Sequence, residues 1–373
     1  MRIGVPTEIK DNEYRVGLIP ASVREYVSRG HQVRIQKGAG EGSGISDAEY
    51  HDSGAQILDN PRDIWENSDM IVKVKEPLPS EYDLMQPNQI LYTYLHLAAV
   101  PELAQVLLEK KVSAVAYETI ELADGRLPLL EPMSEVAGRM SIQVGARSLE
   151  RSAGGKGVLL GGVPGVLRGK VVILGGGTVG TNAATMAVGM GADVTIFDVN
   201  LYRLRDLNEM FNNRIQTLYS NAENIAVAVR GADLVVGAVL LAGARAPNLV
   251  PRSLLKEMQP GSVVVDVAVD QGGCIETCKP TTHAHPTYVI DDIVHYCVAN
   301  MPGAVPRTST FALGNTTLRD GLAIAQRGIE VAVRSDSALA KGLNTYAGCV
   351  THPAVAASLE LEYTPALDAV GRP

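Results

Sequence analysis

The sequence predicts an α/β fold with two doubly wound parallel-sheet domains and a ligand cleft between the domains. Three observations indicate it. Short β-branched runs alternate with helical stretches, which is the pattern of parallel α/β sheets. At 373 residues the chain is long for a single hydrophobic core. A glycine-rich turn near its middle joins a β-rich run to a helix of small residues, an arrangement typical of Rossmann-like domains.

The glycine-rich turn is Gly175-Gly-Gly177-Thr-Val-Gly180, and the helix after it is predicted over Thr178–Met190. We expect Gly175 to allow the tight turn, Gly177 to admit a pyrophosphate and Gly180 to let the helix pack closely on its strand. The next β-rich run ends in Asp198, which should accept hydrogen bonds from an adenosine ribose and repel a 2′-phosphate. The pattern therefore predicts NAD as the cofactor, and the alternative is a βα turn that binds nothing.

Composition excludes several classes of protein. A net charge of −8 argues against a nucleic-acid or anionic-membrane partner, and no apolar segment is long enough to span a bilayer. The N-terminus enters a β-rich run at once, so we expect no signal peptide. Four cysteines are too few for a disulfide framework. We therefore expect a cytoplasmic protein.

The predicted elements give the domain boundaries. In the first third, strands are expected near Arg2–Val5, Val33–Gln36, Met70–Lys75, Ile90–Leu95 and Ser113–Tyr117, with helices over Pro20–Gly30 and Pro101–Lys111. Near the end, helical stretches cover about 308–334 and Thr351–Glu360. Because this last part lacks enough strands for a domain, we expect it to pack on the first. The first domain, which holds the substrate, would then comprise 1–128 plus 306–373.

The nucleotide-binding domain is expected over 129–305. Ser134 is interpreted as the N-cap of a helix that runs to about Arg151, and the glycine-dense stretch Gly154–Gly169 as a loop. Strands are predicted at 170–174, 194–198, 214–218, 233–238, 262–267, 287–290 and 296–299.

Polar residues follow several predicted strand ends, where open α/β sheets bind their ligands. If the two sheets face each other, one cleft collects the nicotinamide with Arg15, Lys75, His96 and Asp270. A loop arginine is most often a solvated charge, but its planar fork suits a carboxylate. Lys73 and Lys75 share one side of their strand, so one can be a mere surface lysine, and the Glu-Pro that follows favours Lys75 at the cleft.

His96 and Asp270 are candidates for proton transfer. His96 closes an apolar run, where a buried core histidine is the usual explanation, yet it lies at a strand end and histidine titrates near neutral pH. Asp270 lies just before a turn, and a turn-forming role is its common alternative. Asp266 falls inside the preceding strand, where a carboxylate must be hydrogen-bonded.

A possible metal site competes with this interpretation. Cys274, Cys278, His283 and His285 give four candidate zinc ligands within twelve residues. The common Cys-x₂-Cys spacing is absent and the segment is typical of a βα connection, so we expect no metal.

Several motifs are specific in combination. They are Met-Arg-Ile-Gly-Val-Pro-Thr-Glu-Ile-Lys at the start, Glu13-Tyr-Arg-Val16, Lys75-Glu-Pro, Leu95-His-Leu-Ala, Pro132-Met-Ser-Glu-Val-Ala-Gly-Arg139, Gly161-Gly-Val-Pro-Gly165, Asp266-Val-Ala-Val-Asp-Gln-Gly-Gly-Cys274 and Val298-Ala-Asn-Met-Pro302. Over essentially the whole chain, these motifs resemble bacterial alanine dehydrogenases. The same superfamily includes the NAD-binding subunit of proton-translocating transhydrogenase and saccharopine-type dehydrogenases.

This resemblance implies reversible, NAD-dependent oxidative deamination of L-alanine to pyruvate, ammonium and NADH by a homohexamer. Arg15 and Lys75 would hold the substrate carboxylate and polarise the carbonyl, and His96 and Asp270 would be the acid/base pair. How the proton transfers divide between them stays open.

The resemblance also implies the cofactor residues. Besides the glycines of the turn, they are Ser134, Thr178, Val179, Asp198, Arg203, Ser220, Val239, Leu240, Val267, Asp270, Lys279, Val298, Asn300 and Met301. Arg203 lies one helical turn past Asp198 and could favour a 2′-phosphate, but we expect the carboxylate to dominate.

Two other functions stay open: a transhydrogenase-type NAD-binding subunit and an NAD-sensing regulatory protein. Either would leave Arg15, Lys75, His96 and Asp270 unexplained. The breadth of amino-acid specificity and the physiological direction are also open.

Overall fold

The structure is a computed structural model that describes residues 1–239 and 246–371. It divides into two compact units, Met1–Met133 with Val305–Pro373, and Ser134–Ala304. The first boundary lies a few residues after the one expected from the sequence. The Tyr94 hydroxyl donates to the Leu129 carbonyl at 2.6 Å, and Arg15 Nη1 lies 3.2 Å from Met133 Sδ, so the segment before Ser134 packs with the first unit.

The bounds of the regular elements follow in chain order. The strands are β1 (Arg2–Val5), β2 (Gln32–Gln36), β3 (Gln56–Leu58), β4 (Met70–Val72), β5 (Ile90–Thr93), β6 (Ser113–Ala116), β7 (Lys170–Leu174), β8 (Asp193–Asp198), β9 (Gln216–Tyr219), β10 (Leu234–Gly237), β11 (Val263–Asp266), β12 (Thr287–Ile290), β13 (Ile293–Tyr296), β14 (Leu343–Tyr346) and β15 (Cys349–Val350). The α-helices are α1 (Pro20–Ser28), α2 (Asp47–Asp52), α3 (Pro61–Glu66), α4 (Pro79–Tyr82), α5 (Pro101–Glu109), α6 (Glu131–Ser148), α7 (Thr178–Gly189), α8 (Leu201–Met210), α9 (Ala222–Arg230), α10 (Arg252–Leu255), α11 (Pro306–Arg327), α12 (Ile329–Ser335), α13 (Ser337–Gly342), α14 (Pro353–Leu359) and α15 (Ala366–Gly371).

The first unit is built on a sheet in the order β15-β14-β6-β5-β4-β1-β2-β3. Its strands are parallel except β14, which pairs antiparallel with both β6 and β15. The sequence prediction missed β3, β14 and β15. Strand β3 is only three residues long, and β14 and β15 are joined by Ala347 and Gly348, both at positive φ. A two-residue hairpin turn of this kind is usually signalled by Asn-Gly or Asp-Gly, which this segment lacks.

The second unit is built on a sheet in the order β12-β13-β11-β10-β7-β8-β9, parallel except for the β12–β13 hairpin. The prediction of an α/β fold with two largely parallel sheets is therefore confirmed. The predicted strand over 296–299 is wrong, because β13 begins three residues earlier. Asp291 and Asp292 adopt positive φ of 50° and 61° and close a two-residue turn, so the chain reverses there and Ile293 pairs with Ile290.

Helix α6 corrects one further prediction. It begins at Glu131, so Ser134 lies in its first turn and is not the N-cap. Pro132 is tolerated there because the first N–H groups of a helix have no partner inside the helix. Among the described residues, no helix is both long enough and apolar enough to cross a membrane.

Candidate functional site

His96 follows β5 at the carboxyl edge of the first sheet, and its backbone is unusual. It adopts φ +49° and ψ +36°, a left-handed conformation uncommon outside glycine. Its N–H donates to Glu118 Oε1 at 2.6 Å, and Glu118 lies in the 3₁₀ turn after the neighbouring strand β6. The imidazole is 46% exposed, so the alternative of a buried core histidine is wrong.

The ring of Tyr94 lies beside the imidazole of His96. Its ring lies parallel to the imidazole, with an interplanar angle of 6° and centroids 6.1 Å apart. Burial raises the pKa of Tyr94, so its hydroxyl keeps its proton and donates to the Leu129 carbonyl. The positive charge of Arg15 acts on the same phenol. Sequence reasoning missed Tyr94 because an aromatic residue in a buried strand is usually part of the core.

Arg15 is buried, at 2% exposure, so the alternative of a solvated loop arginine is wrong. Its Nε and Nη2 bind the two carboxylate oxygens of Glu13 at 2.6 and 2.5 Å. Burial opposes the charge on Glu13, but the guanidinium outweighs burial and lowers the pKa of that carboxyl. The two residues form a fixed bidentate pair in the loop after β1.

Lys75 lies beyond β4, which ends at Val72 and not at Lys75 as predicted. The Val74 N–H donates to Glu8 Oε1 at 2.6 Å, where the N–H of a strand residue would donate to a neighbouring strand. The N–H of Lys75 lies 3.4 Å from the other oxygen of the same carboxylate. Burial lowers the pKa of Lys75, and the positive charge of Arg15 lowers it further. Among the described residues, no carboxylate lies within ion-pair distance of the Lys75 ammonium.

Lys73 is not a surface lysine, which was one alternative for it from the sequence. It is fully buried, with Nζ 3.2 Å from Glu8 Oε2 and 2.9 Å from Glu81 Oε1. Glu81 also accepts the Leu78 N–H at 2.9 Å. This network fixes the segment that carries Lys75.

In the second unit, the glycine turn leaves no room for side chains at two of its glycines. Gly175 has φ +104°, and a Cβ at Gly180 would lie 1.8 Å from the Gly175 carbonyl oxygen, so neither position accepts a side chain without strain. A Cβ at Gly177 would meet no heavy atom within 4 Å among the described residues, which leaves the N-terminus of α7 open to a phosphate.

Asp198 ends β8 beside this turn. Its carboxylate accepts the N–H groups of Gly176 and Asn200, each at 2.8 Å, and keeps lone pairs for further donors. Arg203 donates to the Gly176 carbonyl at 2.7 Å and to the Thr181 hydroxyl at 2.6 Å. The Arg203 guanidinium is thus bound to the glycine turn. Asp198 and Arg203 together fit the adenosine end of a dinucleotide.

Other predicted cofactor residues lie at three places. Thr178 and Val179 are the first residues of α7. A Cβ at Gly138 of α6 would lie 2.2 Å from the Val179 carbonyl oxygen, so α6, which also carries Ser134, packs closely on α7. The Ser220 N–H donates to the Asp198 carbonyl at 3.0 Å. The remaining residues lie in the segments that follow β10, β11 and β13. They are Val239, Val267, Lys279, Val298, Asn300 and Met301. Lys279 is exposed, Val298 and Met301 are buried, and Leu240 lies outside the described residues.

Asp270 lies in the 3₁₀ turn Val269–Gln271 after β11, and it is exposed. Asp266, fully buried at the end of β11, shapes this loop by accepting the N–H groups of Ala268, Cys274 and Ile275 at 2.9–3.2 Å. Burial raises the pKa of Asp266 to about 6 against the effect of these bonds. The expectation that Asp266 must be hydrogen-bonded is confirmed.

Two of the four candidate zinc ligands, His283 and Cys274, are in surroundings that disfavour metal binding. His283 Nε2 lies 2.8 Å from the Asn300 carbonyl oxygen, and burial raises the pKa of the Cys274 thiol, which disfavours the thiolate that zinc requires. Within residues 1–239 and 246–371, no group of three or more suitable side chains is placed to hold a metal ion.

Comparison with known proteins gives the same family over nearly the whole chain. The N-terminal domain of the alanine dehydrogenase/PNT family matches residues 4–137, and its C-terminal domain matches residues 141–353. The chain is 59% identical to an alanine dehydrogenase of Methanococcus maripaludis, over 98% of both chains. It is 57% identical to an alanine dehydrogenase of Bacillus subtilis, over 98% of this chain and 97% of the relative. A solved L-alanine dehydrogenase structure is similar with a TM-score of 0.95 and 57% identity, covering 96% of this chain and 99% of that one.

Proposed function

Because the chain belongs to the alanine dehydrogenase/PNT family, we propose that it catalyses the reversible, NAD-dependent oxidative deamination of L-alanine to pyruvate, ammonium and NADH. The observation that carries the proposal is the cluster in the first unit. Arg15 is a buried cation fixed by Glu13, Lys75 is a second, partly buried cation, and the ring of Tyr94 lies parallel to the exposed imidazole of His96. Such a cluster suits a substrate that carries a carboxylate next to a group that exchanges protons. The family resemblance adds a cytoplasmic homohexamer to the proposal.

The substrate side of the mechanism follows from these charges. Lys75 binds the carboxylate and polarises the carbonyl of pyruvate, and Arg15, held by Glu13, adds a second fixed positive charge. The amine must lose its proton before a hydride can leave the α-carbon. Water must then be activated to attack the iminium, and protons must move before ammonia leaves. We assign these transfers to His96 and Asp270 as a pair.

The cofactor side uses the second unit. Bound NAD⁺ supplies the hydride acceptor. The N–H groups at the start of α7 would hold the pyrophosphate, and Asp198 would bind the adenosine ribose. The other proposed contacts are those of Ser134, Thr178, Val179, Arg203, Ser220, Val239, Leu240, Val267, Asp270, Lys279, Val298, Asn300 and Met301.

Replacing Asp198 with alanine is expected to shift the cofactor preference towards NADP. The variant loses the charge that repels a 2′-phosphate and the acceptor for the ribose hydroxyl, which together are worth roughly 1.5–3 kcal/mol. The ratio of kcat/KM for NADP to that for NAD should rise about 10- to 100-fold. Asp193→Ala, at the exposed start of the same strand, is the control and should leave the ratio unchanged. An unchanged ratio in Asp198→Ala would remove Asp198 from the cofactor site.

The lowered pKa of Lys75 predicts an alkaline limb in pyruvate binding. The charged ammonium binds the carboxylate, so KM for pyruvate should rise with pH through a pKa below the ordinary lysine value of about 10.4. In Lys75→Arg the guanidinium stays charged throughout, and this limb should disappear. If KM for pyruvate rose over the same pH range in both proteins, Lys75 would not be the group that binds the carboxylate.

The proposed function is tested by following NADH absorbance with NAD⁺ and a panel of L-amino acids. Alanine should give NADH, and pyruvate with ammonium should consume it. Nucleotide binding without turnover of any amino acid would contradict the proposal and favour a binding subunit or a sensor.

A further inference from the structure

We propose that Glu118 is a positioning residue for proton transfer by His96, an inference that rests on the function proposed above. Its carboxylate holds the backbone of His96 in the left-handed conformation and lies beside the imidazole ring. Glu118 is therefore required for turnover although it does not touch the substrate.

The backbone geometry supports this role. Both oxygens of Glu118 accept the Leu95 N–H, at 3.1 and 3.2 Å, and Oε1 also accepts the His96 N–H at 2.6 Å. Two successive N–H groups are thus bound by a single carboxylate from the adjacent strand end. The left-handed conformation of a non-glycine residue persists only where its surroundings impose it, and these bonds supply the constraint.

The ring geometry adds a second reason. His96 Nδ1 lies 3.9 Å from Glu118 Oε1, too long for a hydrogen bond but close enough for attraction to a protonated ring. The imidazole also lies parallel to the ring of Tyr94. Glu118 is only 16% exposed on its side chain, so water screens its charge weakly. An imidazolium formed during the reaction therefore has a fixed counter-charge.

The test compares Glu118→Ala and Glu118→Gln with the wild type in alanine oxidation. Misplacing a catalytic group by about 1 Å can cost about 100-fold in rate, so kcat of Glu118→Ala should fall about 10- to 100-fold. KM for NAD should stay within about twofold, since the cofactor residues are in the other unit. Glu118→Gln keeps one acceptor oxygen and should recover part of the loss. Glu121→Gln is the matched control, since Glu121 forms an exposed pair with Lys341 and should leave kcat unchanged.

Coupling to His96 separates positioning from a general structural role. In a His96→Asn background, adding Glu118→Ala should lower the residual rate by less than twofold, because the positioned group is already absent. An equal fall in both backgrounds, or a wild-type kcat in Glu118→Ala, would overturn the inference. If the wild type itself makes no NADH from alanine, the proposed function fails. If the wild type is active and only the Glu118 variants depart from the expected rates, the proposed function stands and the proposed role of Glu118 is wrong.

Discussion

Replacing His96 with asparagine is expected to lower kcat for alanine oxidation by about 10²- to 10⁴-fold, the usual contribution of a positioned acid/base group. Asparagine tolerates the left-handed backbone better than most residues, so this variant removes the imidazole with little change to the loop. NAD binding should be unchanged, because no predicted cofactor contact is lost.

The His96 prediction is checked by initial rates at saturating alanine and NAD, with NADH binding followed by fluorescence. His51→Asn is the control, since His51 is an exposed histidine of α2 and should leave kcat unaffected. A kcat for His96→Asn within about threefold of wild type would show that another group transfers the proton.

Replacing Lys73 with methionine is expected to destabilise the protein by about 3–5 kcal/mol, the usual result of breaking a buried ion pair. Methionine fills a similar volume, but Glu8 and Glu81 are left buried without their cation. Burial already raises the pKa of Glu8, and Lys73 opposes that rise. Without Lys73, charging Glu8 becomes more unfavourable, so the loss of stability should be larger at neutral pH than at acidic pH.

Urea unfolding measures the effect of Lys73→Met. Lys37→Met, which breaks an exposed pair with Asp59, is the control and should give no measurable change. If both variants unfolded at the same urea concentration, the buried cluster would contribute nothing and would not be what fixes the Lys75 segment.

The sequence was sufficient where local patterns determine local structure. The glycine turn and Asp198 were predicted with their neighbours, because each position has a steric or hydrogen-bonding requirement that few residues meet. Strand ends depend also on partners that are distant in the sequence. β4 stops short of Lys75 because a distant carboxylate, Glu8, takes the Val74 N–H, and no local pattern reports such a partner.

The carboxylates that place the functional groups were largely missed. Glu8, Glu13 and Glu118 each hold a predicted site residue, yet Glu8 and Glu118 lie 67 and 22 positions from the backbone groups they bind. Glu118 directly follows the predicted strand Ser113–Tyr117, but nothing in its local sequence gives it a role. One signal in the sequence could have identified Glu118. It follows β6, His96 follows β5, and adjacent parallel strands end at the same edge of a sheet.

The most direct test of the proposed reaction uses L-alanine that carries deuterium at the α-carbon. With NAD⁺ and the purified protein, the NADH formed should contain one deuterium at the nicotinamide C4, and the pyruvate formed should account for it mole for mole. Absence of NADH, or NADH without the label, would contradict direct hydride transfer from alanine and with it the proposed function.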